Sequence, residues 1–130
     1  MALSIAMLLI EFACAAAISG PERAQAASAA TLAQYRAWMV DARRQYPYPQ
    51  SVDKMFRVMM CESSGNARAS GGGGAWLGLF QYAPTTWRGR WNPYRNHSIW
   101  EPKAQIYATA KAWSIGMQSH WSCYYITAGR

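Results

Sequence analysis

Apolar positions recur at helical spacing in three stretches of the chain, and the segments between them show no period. In the first, Leu32, Tyr35, Met39, Ala42 and Tyr46 fall on one stripe while Arg36, Asp41, Arg43 and Arg44 face elsewhere. This predicts a helix from Thr31, preceded by a flexible small-residue lead-in over 27–30 and ended by Pro47-Tyr48-Pro49. In the second, Ser51 reads as the N-cap of a helix with Val52, Met55, Phe56 and Met59 inward and Gly65 as its stop. The third opens at Pro102 and turns Ile106, Ala110, Trp113 and Met117 toward the core.

The intervening segments are expected to be irregular. Residues 66–76 read as a loop in which Gly71 to Gly74 leave the backbone unrestrained. No Lys-Ser or Lys-Thr pair follows those glycines, so they do not read as a phosphate cradle. Residues 77–82 read as a short extended piece, 84–87 as a brief helix started by proline, and 88–99 as an aromatic, basic loop. There is no internal repeat. The expected fold is a mainly α (α+β) single domain with, at most, a short β-hairpin.

Charge and the N-terminus narrow the setting. Residues 2–18 are almost wholly apolar, Ser19-Gly20-Pro21 breaks the run, and Ala24-Gln25-Ala26 offers small residues where a signal peptidase reads. We expect a cleavable signal peptide over 1–26 and a domain over 27–130. The alternative is an uncleaved anchor, but the run is short for a span and carries Glu11. The whole chain has 13 basic and 6 acidic residues; losing Arg23, Glu11 and Glu22 leaves 12 against 4, a formal charge of +8. An exported basic domain suits an anionic polymer or surface, and equally suits plain solubility. No Lys/Arg-rich run or binding motif points to nucleic acid.

Two cysteines remain after that cleavage, Cys61 and Cys123, and in an oxidising compartment such a pair forms a bridge. No Cys-x-x-Cys or Cys/His cluster argues for metal, and no cofactor is expected. Directly after Cys61 stands Glu62, at the end of an apolar helix and just before the flexible loop. A carboxyl among apolar neighbours has its neutral form favoured, as a general acid near neutral pH requires. Its potential partners are poorly placed: Asp53 is two and a half helical turns away on the opposite face, and Asp41 belongs to a charged helix face. Glu101 precedes Pro102, where it is expected to serve the N-terminus of that helix.

Glu62-Ser63-Ser64-Gly65-Asn66, then Gly78-Leu79-Phe80-Gln81, then Pro84-x-x-Trp87 resemble the lysozyme-like superfamily, in particular the soluble lytic transglycosylases. The placement of Cys61 and Cys123, with Gln105-Ile106 and Trp121-Ser122-Cys123, is similar to the resuscitation-promoting factors. The resemblance spans 52–123. Ser64 departs from the commoner Gly, and the late Ala-Tyr-Asn motif of many transglycosylases is not evident after Gly116. What it implies is a monomeric, secreted or periplasmic peptidoglycan lytic transglycosylase that meets the membrane only through its signal segment. Such an enzyme cleaves the β-1,4 bond between N-acetylmuramic acid and N-acetylglucosamine in peptidoglycan glycan strands. A hydrolytic muramidase and a non-catalytic wall-binding protein are the alternatives.

On that reading Glu62 is the catalytic acid and then the base. Gln81 would bond an N-acetyl group or orient Glu62, against the plainer role of a loop surface residue. Trp76, Tyr82, Trp87 and Trp91 would form sugar-stacking walls, since seven tryptophans are too many to bury in so small a domain. Trp38 and Trp113 are expected in the core. Ser64, placed at the substrate site, would with Asn66 fix the turn through side-chain to backbone bonds. Neither His97 nor His120 shows a partner spacing.

Overall fold

The computed structural model describes residues 27–129, so the expected signal peptide lies outside the described residues. The first helix, α1 (Ala29–Gln45), begins two residues before the expected start because the Ser28 side chain accepts from the Thr31 amide at 3.1 Å. The supposed flexible lead-in is therefore a capped helix end. Tyr35, Met39 and Ala42 are buried on its inward stripe, as the spacing predicts. The second helix, α2 (Val52–Ser63), is capped by Ser51, whose hydroxyl accepts from the Lys54 amide at 3.0 Å.

A two-stranded antiparallel hairpin follows. Strand β1 (Ser70–Gly71) pairs with β2 (Trp76–Leu77) in the register Ser70 to Leu77 and Gly71 to Trp76. A 3-10 turn over Gly72–Gly74 joins them. The expected extended piece over 77–82 is mostly a tight turn instead. Leu77 and Tyr82 bridge each other, and Gly78 (φ +82°) and Gln81 (φ +51°) reverse the chain between them. An extended run cannot pass through positive φ, so the segment turns instead of extending.

Helix α3 (Pro84–Trp87) falls where expected. Helix α4 (Pro102–Ser114) packs mainly on α1. Ala104, Ala108 and Ala112, four residues apart, are buried along it, and small side chains permit close helix approach. Trp113 is in the core, edge-on to Tyr48 (5.3 Å) and Tyr124 (5.5 Å). A last short helix, α5 (Ser122–Ile126), was not expected from the pattern, because five residues cannot display a helical period.

Two tethers hold α5 in place. One is the Cys61–Cys123 disulfide, whose Cα atoms are 5.9 Å apart. The other is Lys54, whose buried ammonium donates to the carbonyls of Tyr124 (2.7 Å) and Thr127 (2.6 Å). Desolvation, with the nearby Arg57 charge, holds the Lys54 pKa below its ordinary value. The carbonyl pair replaces the water that this charge loses on burial. No helix among the described residues is long and apolar enough to cross a membrane.

Candidate active site

Glu62 sits in the last turn of α2, where Ser64 takes the left-handed conformation (φ 53°) and donates its amide to the Met60 carbonyl. Gly65 follows at φ +76° with Leu32 of α1 against it, leaving no room for a Cβ. The chain therefore turns sharply away just beyond the acid. The turn is fixed by Ser63, whose hydroxyl bonds the Met59 carbonyl at 3.1 Å, and by Asn66, whose side chain accepts from the Arg68 amide at 2.9 Å. Ser64 contributes its backbone conformation, not the side-chain bond expected of it.

The Glu62 side chain is half-buried and its pKa is raised. Burial is the dominant cause; the backbone N–H of Cys123 donates to the carboxylate and partly opposes it. The disulfide thus joins the residue before the acid to the residue whose amide binds the acid.

A groove runs past Glu62 in two arms that share Glu62 and Gln81. The first arm, a depression of about 570 Å³, is aromatic, with Trp76, Trp121 and Tyr125 along it and His120 at its side. The second, of about 380 Å³, is polar, with Ser64, Asn66, Arg68 and Ser70. Trp76 is 51% exposed and Tyr125 68% exposed, as stacking surfaces in an open groove would be. Tyr125 and His120 escaped the sequence reading, because they border the groove only once α5 folds back against α2.

The other predicted groove residues divide differently. Trp87 is only 3% exposed and its indole N–H donates to the His97 carbonyl at 3.2 Å, so it is core and not a sugar-stacking wall. Tyr82 is also buried. Its hydroxyl bonds Thr109 at 2.9 Å, its ring meets Trp87, Trp91 and Trp121, and burial holds its pKa above the usual phenol value. It touches only a small recess of about 90 Å³ behind Trp76 and Gln81. Trp91 is stacked on Tyr82 and bonded to the Thr86 carbonyl at 3.1 Å, so it too supports and does not line the main groove. Helical and loop aromatics look alike in a sequence; the tertiary packing decides which ones face water.

Gln81 lies on both arms. Its carboxamide donates to the carbonyls of Ala69 (3.2 Å) and Gly78 (3.0 Å), so it braces the hairpin and makes no bond to Glu62. The turn that carries it is held from beneath by Gln105. That fully buried side chain accepts from the Leu79 amide and donates to the Ala67 carbonyl at 3.2 Å, spanning both loops that flank the groove. A Cβ at Gly78 would collide with it. Trp121 adds a second tie, its indole N–H donating to the Phe80 carbonyl at 2.8 Å.

The remaining carboxylates among the described residues are engaged elsewhere. Asp53 binds Arg36 (3.0 Å) and Arg57, and Asp41 binds Arg44 (3.3 Å). Glu101 makes no side-chain cap for α4; instead it pairs with His97 at 3.0 Å, which gives that histidine the partner its sequence position did not suggest. Among the described residues, neither groove arm contains a carboxylate other than Glu62. No group of three or more His, Cys, Asp or Glu capable of holding a metal occurs among the described residues. Comparison with protein-family models, curated proteins and solved structures finds no significant match to the chain.

Proposed function

We propose that the chain is a peptidoglycan lytic transglycosylase of lysozyme-like type, acting in an exported compartment, with Glu62 as its sole acid and base. The observation that carries this reading is one half-buried carboxyl, its proton held tightly by burial, at the junction of two groove arms in which no described residue supplies a second carboxylate. A polymer laid along the groove would place one inter-sugar bond over Glu62. The protonated carboxyl gives its proton to the glycosidic oxygen as the bond to muramic acid C1 breaks. The resulting carboxylate takes the proton of the muramic acid C6 hydroxyl as that oxygen bonds C1. The 1,6-anhydro ring closes, Glu62 is again protonated, and no water is consumed. A two-carboxylate glycosidase needs a partner on the other side of the bond, and the groove supplies none.

Trp76 and Tyr125 would stack on sugar faces, and Gln81 would meet an N-acetyl group at the cleavage point. The disulfide fits an exported protein. The test is digestion of purified sacculi by the wild type and by Glu62→Gln, with products resolved by mass. Anhydro-muropeptides from the wild type alone are expected. Products heavier by one water would make the protein a muramidase, and equal release by the variant would remove Glu62 from the chemistry.

A further inference from the structure

The two arms differ in charge as well as in polarity. Arg68 lines the polar arm and also the adjoining depression of about 280 Å³ toward Thr31 and Tyr35 of α1. Among the described residues its guanidinium has no hydrogen bond, ion pair or ring contact. Arg36, Arg44 and Arg57, by contrast, hold aspartates, while Arg43 and Arg95 hold backbone carbonyls. Its backbone, however, is fixed: the Arg68 amide donates to the Asn66 side chain, and the Ala69 amide to the Asn66 carbonyl at 3.1 Å. The base of the side chain is therefore anchored while its charged end is left for a ligand. Among the described residues, Arg88 and Arg90 also have no partner but line neither arm, and no Lys or Arg lines the aromatic arm.

A planar guanidinium with five donors matches a carboxylate. In an intact strand the muramic acid lactyl carboxyl is tied up as the amide that joins the peptide stem, so the carboxylates open to a guanidinium are those of the stem itself. We propose that Arg68 makes the polar arm a subsite for a carboxylate of the peptide stem, so that the groove reads the peptide on one side of Glu62 and sugar faces on the other. This rests on the glycan reading above. It adds that the preferred substrate is peptide-bearing and not naked glycan.

The test measures binding in the Glu62→Gln background, so that turnover plays no part. The probes are soluble glycan fragments of one length, with peptide stems intact, or with the stems removed by an amidase and the freed lactyl carboxyls then capped as methyl amides. Without further change the peptide-bearing fragment should bind more tightly. Arg68→Gln should weaken that fragment about fivefold, the order expected of an open ion pair, and leave the stripped fragment unchanged. Arg68→Lys should retain part of the preference, and Arg88→Gln, which removes the same charge elsewhere, should retain all of it. An Arg68→Gln effect that is absent, or equal for both fragments, overturns the subsite. Absence of binding to either fragment overturns the glycan reading with it. Selective binding without wild-type turnover of sacculi sinks only the catalytic reading.

Discussion

Where α1 packs on α4, local and global choices agree. Ser28 caps, the apolar stripe faces inward, alanines occupy the close contacts, and the charged face is neutralised by Arg36–Asp53 and Asp41–Arg44 pairs. Around the groove they disagree. Ser64 and Gln81 take positive φ without being glycine, Glu62 is half-buried without a cationic partner, Arg68 is charged without an anion, and Trp76 and Tyr125 face water. Strained backbone and unpaired charge of this kind commonly gather at functional sites, and here the surrounding tethers hold the arrangement in place.

The sharpest way to break this contrast is Glu62→Gln. It should lower glycan cleavage by about a hundredfold to ten-thousandfold, the range a positioned acid or base supplies, read by product release from sacculi. The same variant should make the fold more stable at neutral pH. Because burial raises the folded-state pKa, the native protein binds the Glu62 proton more tightly than the unfolded chain does. Ionised Glu62 therefore costs stability above that raised pKa, and the cost disappears as pH falls below the ordinary carboxylate range. Thermal melts should show the variant's advantage at pH 7 and not near pH 3. Activity should likewise decline as pH rises through the raised pKa, since the first step needs the protonated acid.

Next in size is the disulfide. Its cysteines are 62 residues apart, and removing a cross-link of that span should cost about 4 kcal/mol, measured by denaturant unfolding of Cys61→Ala/Cys123→Ala. Gln105→Leu should follow at about 2–3 kcal/mol, because it leaves the Leu79 amide and the Ala67 carbonyl buried without partners. The last test sets two tryptophans against each other, and its smaller arm is the mildest effect of all. Trp76→Ala should leave stability within about 0.5 kcal/mol yet weaken glycan binding about tenfold, whereas Trp87→Ala should destabilise the fold by about 3 kcal/mol or more. Equal behaviour of the two would erase the distinction between groove and core.

Much of the helical side was legible in advance. Ser51, Pro84 and Pro102 mark helix starts through rules that act within a few residues, and most of the inward stripes of α1, α2 and α4 follow from helical period, although α4 ends before Met117 and α2 buries Val58 more fully than Phe56. Glu62 was legible for the same reason: it is a short-range fact that an acid follows an apolar helix and precedes a stop. The groove was legible only in part. Trp76 and Trp87 both stand in segments too short to show a period, and nothing local says that one faces water while the other donates to His97. Lys54 and Gln105 gave no signal as positioning residues, because their partners are 70 and 26 residues away.

The sequence by itself determined helices α1 to α4, the position of Glu62 and the presence of two cysteines that can bridge. Only the tertiary structure decided what surrounds the acid. Folding α5 back onto α2 brings the Cys123 amide to Glu62, sets Tyr125 beside Trp76, and leaves Arg68 alone in the opposite arm. Helix periods and caps are set by neighbours along the chain, whereas burial, hydrogen-bond partners and unpaired charge depend on residues that only folding brings together.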